Sequence, residues 1–128
     1  MRAAGLLLIV ALPLLLASCD QGQGGMNEAQ AARLTGGDAQ RGRDAVRRYG
    51  CGECHSIAGV PGANSLIGPP LTGIGKRAYV AGVLTNTPGN LVRWIRDPQG
   101  VDSLTAMPDM GVTEADARDI AAYLYSRP

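Results

Sequence analysis

Cys51-Gly52-Glu53-Cys54-His55 is the stretch on which the reading of this chain turns. Two thiols with two residues between them lie about one helical turn apart, and the next residue brings an imidazole with no slack. Covalent attachment of a porphyrin requires that spacing. The thiols reach two vinyl groups on one side of the ring while the histidine swings beneath the iron, and C-x-x-C-H is the attachment sequence of c-type haem. The same cysteine spacing also serves zinc ribbons and thioredoxin-like redox sites. Zinc would need a second C-x-x-C or a partner histidine, and the sequence has neither. A thioredoxin-like site would need a βαβ pattern, which is also missing.

The remaining inventory narrows the iron ligands by elimination. His55 is the sole histidine, so two-histidine ligation within the chain is impossible. Cys19 belongs to the N-terminal segment treated below, which leaves no thiol for ligation or disulfides. A sixth ligand would therefore be a methionine. Of the four, Met1 falls in an export segment and Met26 in a polar stretch, so Met107 and Met110 remain. His/Met ligation raises the potential of a haem. It suits one-electron transfer and leaves no open position for a small-molecule substrate.

Length and composition fit one small domain that needs help with its core. The 128 residues include no phenylalanine and one tryptophan, a thin supply of large apolar side chains. A buried porphyrin would make up the deficit, so the haem-free chain is expected to fold poorly. Without Arg2 the chain has 11 basic and 11 acidic residues, and a near-neutral balance argues against nucleic acid as a partner. Arg41, Arg43, Arg47, Arg48, Lys76 and Arg77 precede Asp97, Asp102, Asp109, Glu114, Asp116 and Asp119. This asymmetry predicts either a charge dipole that steers docking or simply solvated helix faces. The single histidine rules out Ser/His/Asp and Cys/His catalytic sets beside a haem. The lack of a second C-x-x-C-H rules out a two-haem peroxidase within this chain. The inventory describes a carrier rather than an enzyme.

The N-terminus predicts export. Met1-Arg2 precedes an apolar run from Ala3 to Ala17, too short for a comfortable membrane span. Leu16-Ala17-Ser18-Cys19 resembles the lipobox of bacterial lipoproteins, which implies a signal peptide over 1–18 and acylation of Cys19. Several acyl chains, at about 0.8 kcal/mol per methylene, would hold the chain on a membrane. Asp20 resembles an inner-membrane retention signal. Residues 19–36, rich in Gly, Gln, Asn and Ala, read as a flexible linker between the lipid and a domain over 37–128. Eighteen such residues typically reach about 21–25 Å. The expected location is the periplasmic side of a bacterial membrane.

Helical signals follow in order. Asp38 caps a helix from Ala39 to about Tyr49, with Gly42, Ala45, Val46 and Tyr49 on one face. Lys76 to Leu84 reads as a short helix. Thr87-Pro88 opens another, with Leu91, Trp94 and Ile95 as its stripe, ending before Asp97-Pro98. Thr113 and Asp116 approximate a capping box for a last helix to about Ser126.

With these features in place the chain resembles the small class I (monohaem) cytochromes c over about Gly37 to Arg127. The resemblance rests on Gly42 in a first helix, then the C-x-x-C-H, then Gly68-Pro69-Pro70-Leu71 matching the family's G-P-x-L. A helix ending in Asp97-Pro98 follows, then Met107 nine residues after that proline, and Tyr123 in the C-terminal helix. It implies an all-α fold wrapped around one covalent haem c held by Cys51 and Cys54. It also implies contact between Gly42 and Tyr123, and a Pro69 carbonyl that accepts a bond from the His55 ring. Leu71 and Trp94 are implied in the haem pocket, and Met107 as the sixth ligand with Met110 as fallback. Pro108 stiffens the backbone after Met107 and suits that role.

The implied activity is one-electron transfer between redox proteins. The leading expectation is a membrane-tethered carrier passing electrons towards a respiratory acceptor such as a terminal oxidase. The alternative is a fixed haem subunit of a multi-subunit dehydrogenase or oxidase. A gas or redox sensor would need a labile methionine.

Overall fold

A computed structural model describes residues 26–128. Residues 1–25 lie outside the described part, and with them the expected signal peptide and Cys19. Helices α1 (Glu28–Thr35), α2 (Ala39–Arg48), α3 (Pro88–Arg96), α4 (Pro98–Val101) and α5 (Glu114–Tyr125) are joined by loops. The loops contain two 3₁₀ turns, Cys51–Glu53 and Ile74–Lys76, and a two-stranded antiparallel hairpin, β1 (Tyr79–Val80) with β2 (Leu84–Thr85). The architecture is all-α apart from that hairpin.

The three sequence-legible helices begin where their caps predict. Asp38 accepts from the Arg41 amide at 2.8 Å and Thr87 from the Asn90 amide at 3.2 Å. Thr113 accepts from the Asp116 amide and donates its hydroxyl to the same aspartate. Each cap satisfies an amide that the helix itself leaves without a partner. Pro98 then starts α4 at its first position, where a missing N–H costs nothing.

The frame is the crossing of α2 over α5, with α1 and α3 also against α5. Gly42 makes the crossing possible. A Cβ there would stand 1.9 Å from the Asp119 carbonyl oxygen and 2.9 Å from the Tyr123 Cβ. Only glycine lets the two backbones approach so closely, and the helix penalty of about 1 kcal/mol is offset by that packing. The expected meeting of Gly42 with Tyr123 is present. Buried around it are Ala45, Val46, Ala121, Ala122, Tyr123 and Leu124, joined by Leu91 and Ile95 of α3. Burying side chains such as Leu91 stabilises by roughly 1.5–3 kcal/mol each. A buried carboxylate pins the crossing: Asp119 accepts from the Asp38 amide at 2.6 Å and from Arg41 through two bonds of 2.8 and 2.9 Å.

Two stretches differ from the sequence reading. Residues 28–35, expected within the 19–36 linker, form α1. Asn27 and Gln30 cap each other reciprocally, Gly36 ends the helix at φ +70°, and Ala31 and Thr35 are buried. The face it buries is too small and polar to register as an apolar stripe. Residues 76–84, expected as a helix, hold the end of a 3₁₀ turn and then the hairpin. Ala81 and Gly82 both take positive φ there, +53° and +75°, which no helix accommodates. Asn86 fixes this region, donating to the carbonyls of Ile74 and Arg77 and accepting from the Tyr125 hydroxyl at 2.7 Å.

Candidate haem-attachment site

The C-x-x-C-H stretch leaves α2 through Gly50, in a left-handed conformation, and coils into a 3₁₀ turn. The Cys51 carbonyl accepts from both the Cys54 and His55 amides, at 3.3 and 3.0 Å. Both cysteines therefore sit on one turn, with the imidazole following directly. Both thiols are free and half-buried. Burial pushes the Cys51 thiol up, its own backbone bond partly opposing this and Cys54 adding to it. That direction is opposite to a reactive redox cysteine, whose thiolate is favoured. Among the described residues no cluster of three His, Cys, Asp or Glu side chains is arranged to hold a metal ion.

The loop after the motif folds back and clamps the histidine. Gly68 N–H donates to the Cys54 carbonyl at 2.7 Å and Leu71 N–H to that of Ser56 at 2.9 Å. Ile57 N–H donates to the Ala63 carbonyl, beside an antiparallel bridge between Ser56 and Asn64. This brings the Pro69 carbonyl to 2.7 Å from His55 Nδ1. A carbonyl can only accept, so Nδ1 is the donor, and in the neutral ring the lone pair is then on Nε2. Such a bond fixes ring orientation and raises the basicity of the ligating nitrogen. Gly68 lies against the ring face: a Cβ there would be 2.5 Å from His55 Cε1. Sequence reasoning named Pro69 but missed Gly68, whose position before two prolines reads equally well as a turn.

Leu71 and Trp94 are half-buried against the hydrophobic core. Met107 is half-buried, on a loop stiffened where its amide donates to the Thr105 hydroxyl at 3.2 Å. Met110 is 40 % exposed and precedes Gly111 at φ +64°. Of the two methionines, Met107 is the more enclosed. Tyr123 links frame to loop, donating its hydroxyl to the Ala58 carbonyl at 2.6 Å. Burial pushes that phenol up, against the opposing pull of Arg127 and Arg43, which keeps it a donor. A surface groove between α1, α3 and α5, lined by Leu34, Val92, Arg93, Arg96 and Arg118, sits on a different face of α3 from Trp94 and holds none of these residues.

The donor set fits a haem held by two thioethers and an imidazole Nε2. The geometry that says so is the Nδ1–carbonyl bond and the glycine cradle that only an unsubstituted Cα satisfies.

Comparison with known proteins agrees with this chemistry. The family model described as Cytochrome c matches residues 39–128. The chain is 38% identical over 91 residues to cytochrome c oxidase subunit 2 of Alkalihalophilus pseudofirmus, a match covering 69% of this chain and 25% of that protein. The chain thus spans about a quarter of the length of this relative. No solved structure gives a match.

Proposed function

The chain belongs to the cytochrome c family, and on that premise we propose that it is a membrane-tethered carrier passing electrons towards a terminal oxidase. Its helical architecture is the class I fold of that family, its cofactor is haem c, and its activity is electron transfer between redox partners. Bound haem c supplies a one-electron couple. In our reading Cys51 and Cys54 provide the thioethers, His55 Nε2 the proximal ligand and Met107 the distal one. The observation that supports the assignment is the 2.7 Å contact between His55 Nδ1 and the Pro69 carbonyl, which would leave Nε2 as the nitrogen available to iron. With both residues as ligands, small-molecule substrates would be kept off the metal and outer-sphere transfer would be the chemistry left to it. Leu71 and Trp94, half-buried against the core, would exclude water beside it.

The tether rests on the lipobox-like Leu16-Ala17-Ser18-Cys19, which points to acylation at Cys19 and a place on the periplasmic side of the membrane. Direction towards an oxidase is supported by the name of the relative quoted above, an oxidase subunit. The same name supports the second reading, a fixed haem subunit of an oxidase complex. A native gel of membranes in mild detergent, stained for covalent haem, separates them. Migration at the chain's own size is expected for the carrier. Salt-resistant co-migration with a large assembly would establish the fixed subunit, and absence of haem stain would overturn both. For the axial pair, Met107→Ala is expected to abolish the low-spin His/Met spectrum while Met110→Ala preserves it; the reverse result would reassign the ligand.

A further inference from the structure

The loop that carries Met107 is held at its two ends and hardly between them. Among the described residues, every hydrogen bond made by 103–112 stays within 102–111. The Leu104 and Thr105 amides donate to Asp102, the Met107 amide to Thr105 and the Gly111 amide to Asp109. No ion pair among the described residues reaches this stretch. Val112 is its one buried side chain. A stretch with so few ties to the rest of the fold goes where its ends go.

The near end is fixed by α4, where the Asp102 amide donates to the Pro98 carbonyl at 2.9 Å. The far end runs from Val112 into Thr113 and the first turn of α5. Helix ends fray unless side chains hold them. The close crossing of α5 with α2 lies further along, at Asp119 and Tyr123.

Asp116 holds the first turn. Its Oδ2 accepts from the Thr113 hydroxyl at 2.9 Å and from the Tyr49 hydroxyl at 2.7 Å, and its Oδ1 accepts from Arg48 at 2.7 Å. Tyr49 stands two residues before Cys51 and packs against the core. One carboxylate thus ties the residue that ends the Met107 loop to the segment that opens the haem-attachment turn, 67 positions back in the chain.

The ties of this turn are unequal. The Arg48 side chain is 56 % exposed, and Arg96 with Glu114, at 3.5 Å, is 45 % and 53 % exposed. Exposed ion pairs contribute little. The Tyr49 bond is partly buried and ends on a charged acceptor, which is the stronger kind of hydrogen bond.

We propose that Tyr49 and Asp116 are positioning residues for the distal ligand, their bond clasping the Met107 loop shut against the segment that leads into Cys51. This rests on the reading of Met107 as that ligand. Neither residue touches the iron; they act through the loop, and a single phenol hydroxyl governs how often it opens.

The test mixes the haem-loaded ferric protein with imidazole, which binds iron only after the distal ligand has left, and follows the visible spectrum. Tyr49→Phe removes one oxygen and keeps the ring on the core, while Asp116→Ala removes the acceptor. Each is expected to admit imidazole about tenfold faster, as for loss of one hydrogen bond to a charged group. Tyr123→Phe is the comparison, because it also deletes one phenol bond, to the Ala58 carbonyl at 2.6 Å. It should leave imidazole entry at the wild-type rate. Hydrogen exchange read by mass spectrometry gives a second readout that needs no iron ligand. Amides within 102–112 should exchange about tenfold faster in both clasp variants and unchanged in Tyr123→Phe.

Unchanged exchange over 102–112 in both clasp variants would overturn the clasp. So would imidazole entry accelerated equally in Tyr123→Phe, which would mark a general loss of stability. Faster exchange with unchanged imidazole entry would overturn the role for Met107, since the loop would then open without releasing the ligand. A wild-type spectrum without methionine ligation would instead sink the ligand assignment of the previous section, while the exchange measurement would still decide the clasp.

Discussion

Where α2 crosses α5, backbone meets backbone, and a single methyl at Gly42 would collide with a carbonyl. Across the loops 54–71, order comes from a few spaced hydrogen bonds: Gly68 to Cys54, Leu71 to Ser56, and the His55 ring to the Pro69 carbonyl. The seam is dense and apolar; the loops are sparse and leave large side chains in water. The difference separates two tasks. Dense packing resists any change of shape and suits a frame, because a close-packed interior transmits strain. Hydrogen bonds to one imidazole fix a single direction and suit a ligand.

The comparison can be broken most severely by removing the covalent links. Cys51→Ser combined with Cys54→Ser is expected to abolish the cooperative thermal transition, followed by circular dichroism, because few large side chains remain to fill the core. A cooperative transition in that variant would show that the seam folds on its own. The next largest effect belongs to the seam itself. Gly42→Ala should cost about 3 kcal/mol or more in guanidinium unfolding, since the methyl overlaps a carbonyl that only a backbone shift can relieve. Asp119→Ala should cost about 2 kcal/mol by the same measurement, because it strands the Asp38 amide and removes a charged acceptor. The same added methyl in the loops should act differently. Gly68→Ala is expected to cost only about 1 kcal/mol globally while altering the axial-ligand spectrum, because the methyl strikes the His55 ring rather than the frame.

The smallest effect should appear with pH. The Tyr49 hydroxyl, then Thr113 and Arg48, hold the Asp116 carboxyl below the usual carboxylate range. A carboxylate with a lowered folded value contributes stability above its unfolded value of about 3.9, and loses it as pH falls through the folded one. Asp116→Asn should therefore melt a few degrees lower at neutral pH and show a shallower decline below pH 4. Melting temperature against pH checks this, and parallel curves would remove Asp116 from the acid limb.

Much of this was legible in the sequence. Caps at Asp38, Thr87 and Thr113 gave three helices to within a residue or two, because each polar cap precedes a clear apolar stripe. His55, Pro69 and the meeting of Gly42 with Tyr123 followed from local motifs and their order. Helix α1 was hidden because its buried contacts, Ala31 and Thr35, are small. The reciprocal cap of Asn27 with Gln30 was the signal that could have found it. The hairpin was hidden because its turn relies on Ala81 at positive φ, which composition does not predict. The Asp119 pin was hidden for a different reason: its partners Asp38 and Arg41 lie 81 and 78 positions away. Pairing at that distance depends on the completed fold.

That pin has a consequence in time. A chain is made from its N-terminus, and contacts between distant residues form late because a long loop must first close. Residue 119 follows every cysteine, histidine and methionine of the candidate site, so the seam cannot shut until all of them have been synthesised. Until then Tyr123 cannot latch onto Ala58, and the stretch 51–55 lies on an open chain. The fold thus orders its own assembly, keeping the two thiols within reach before the last helix closes the loop behind them.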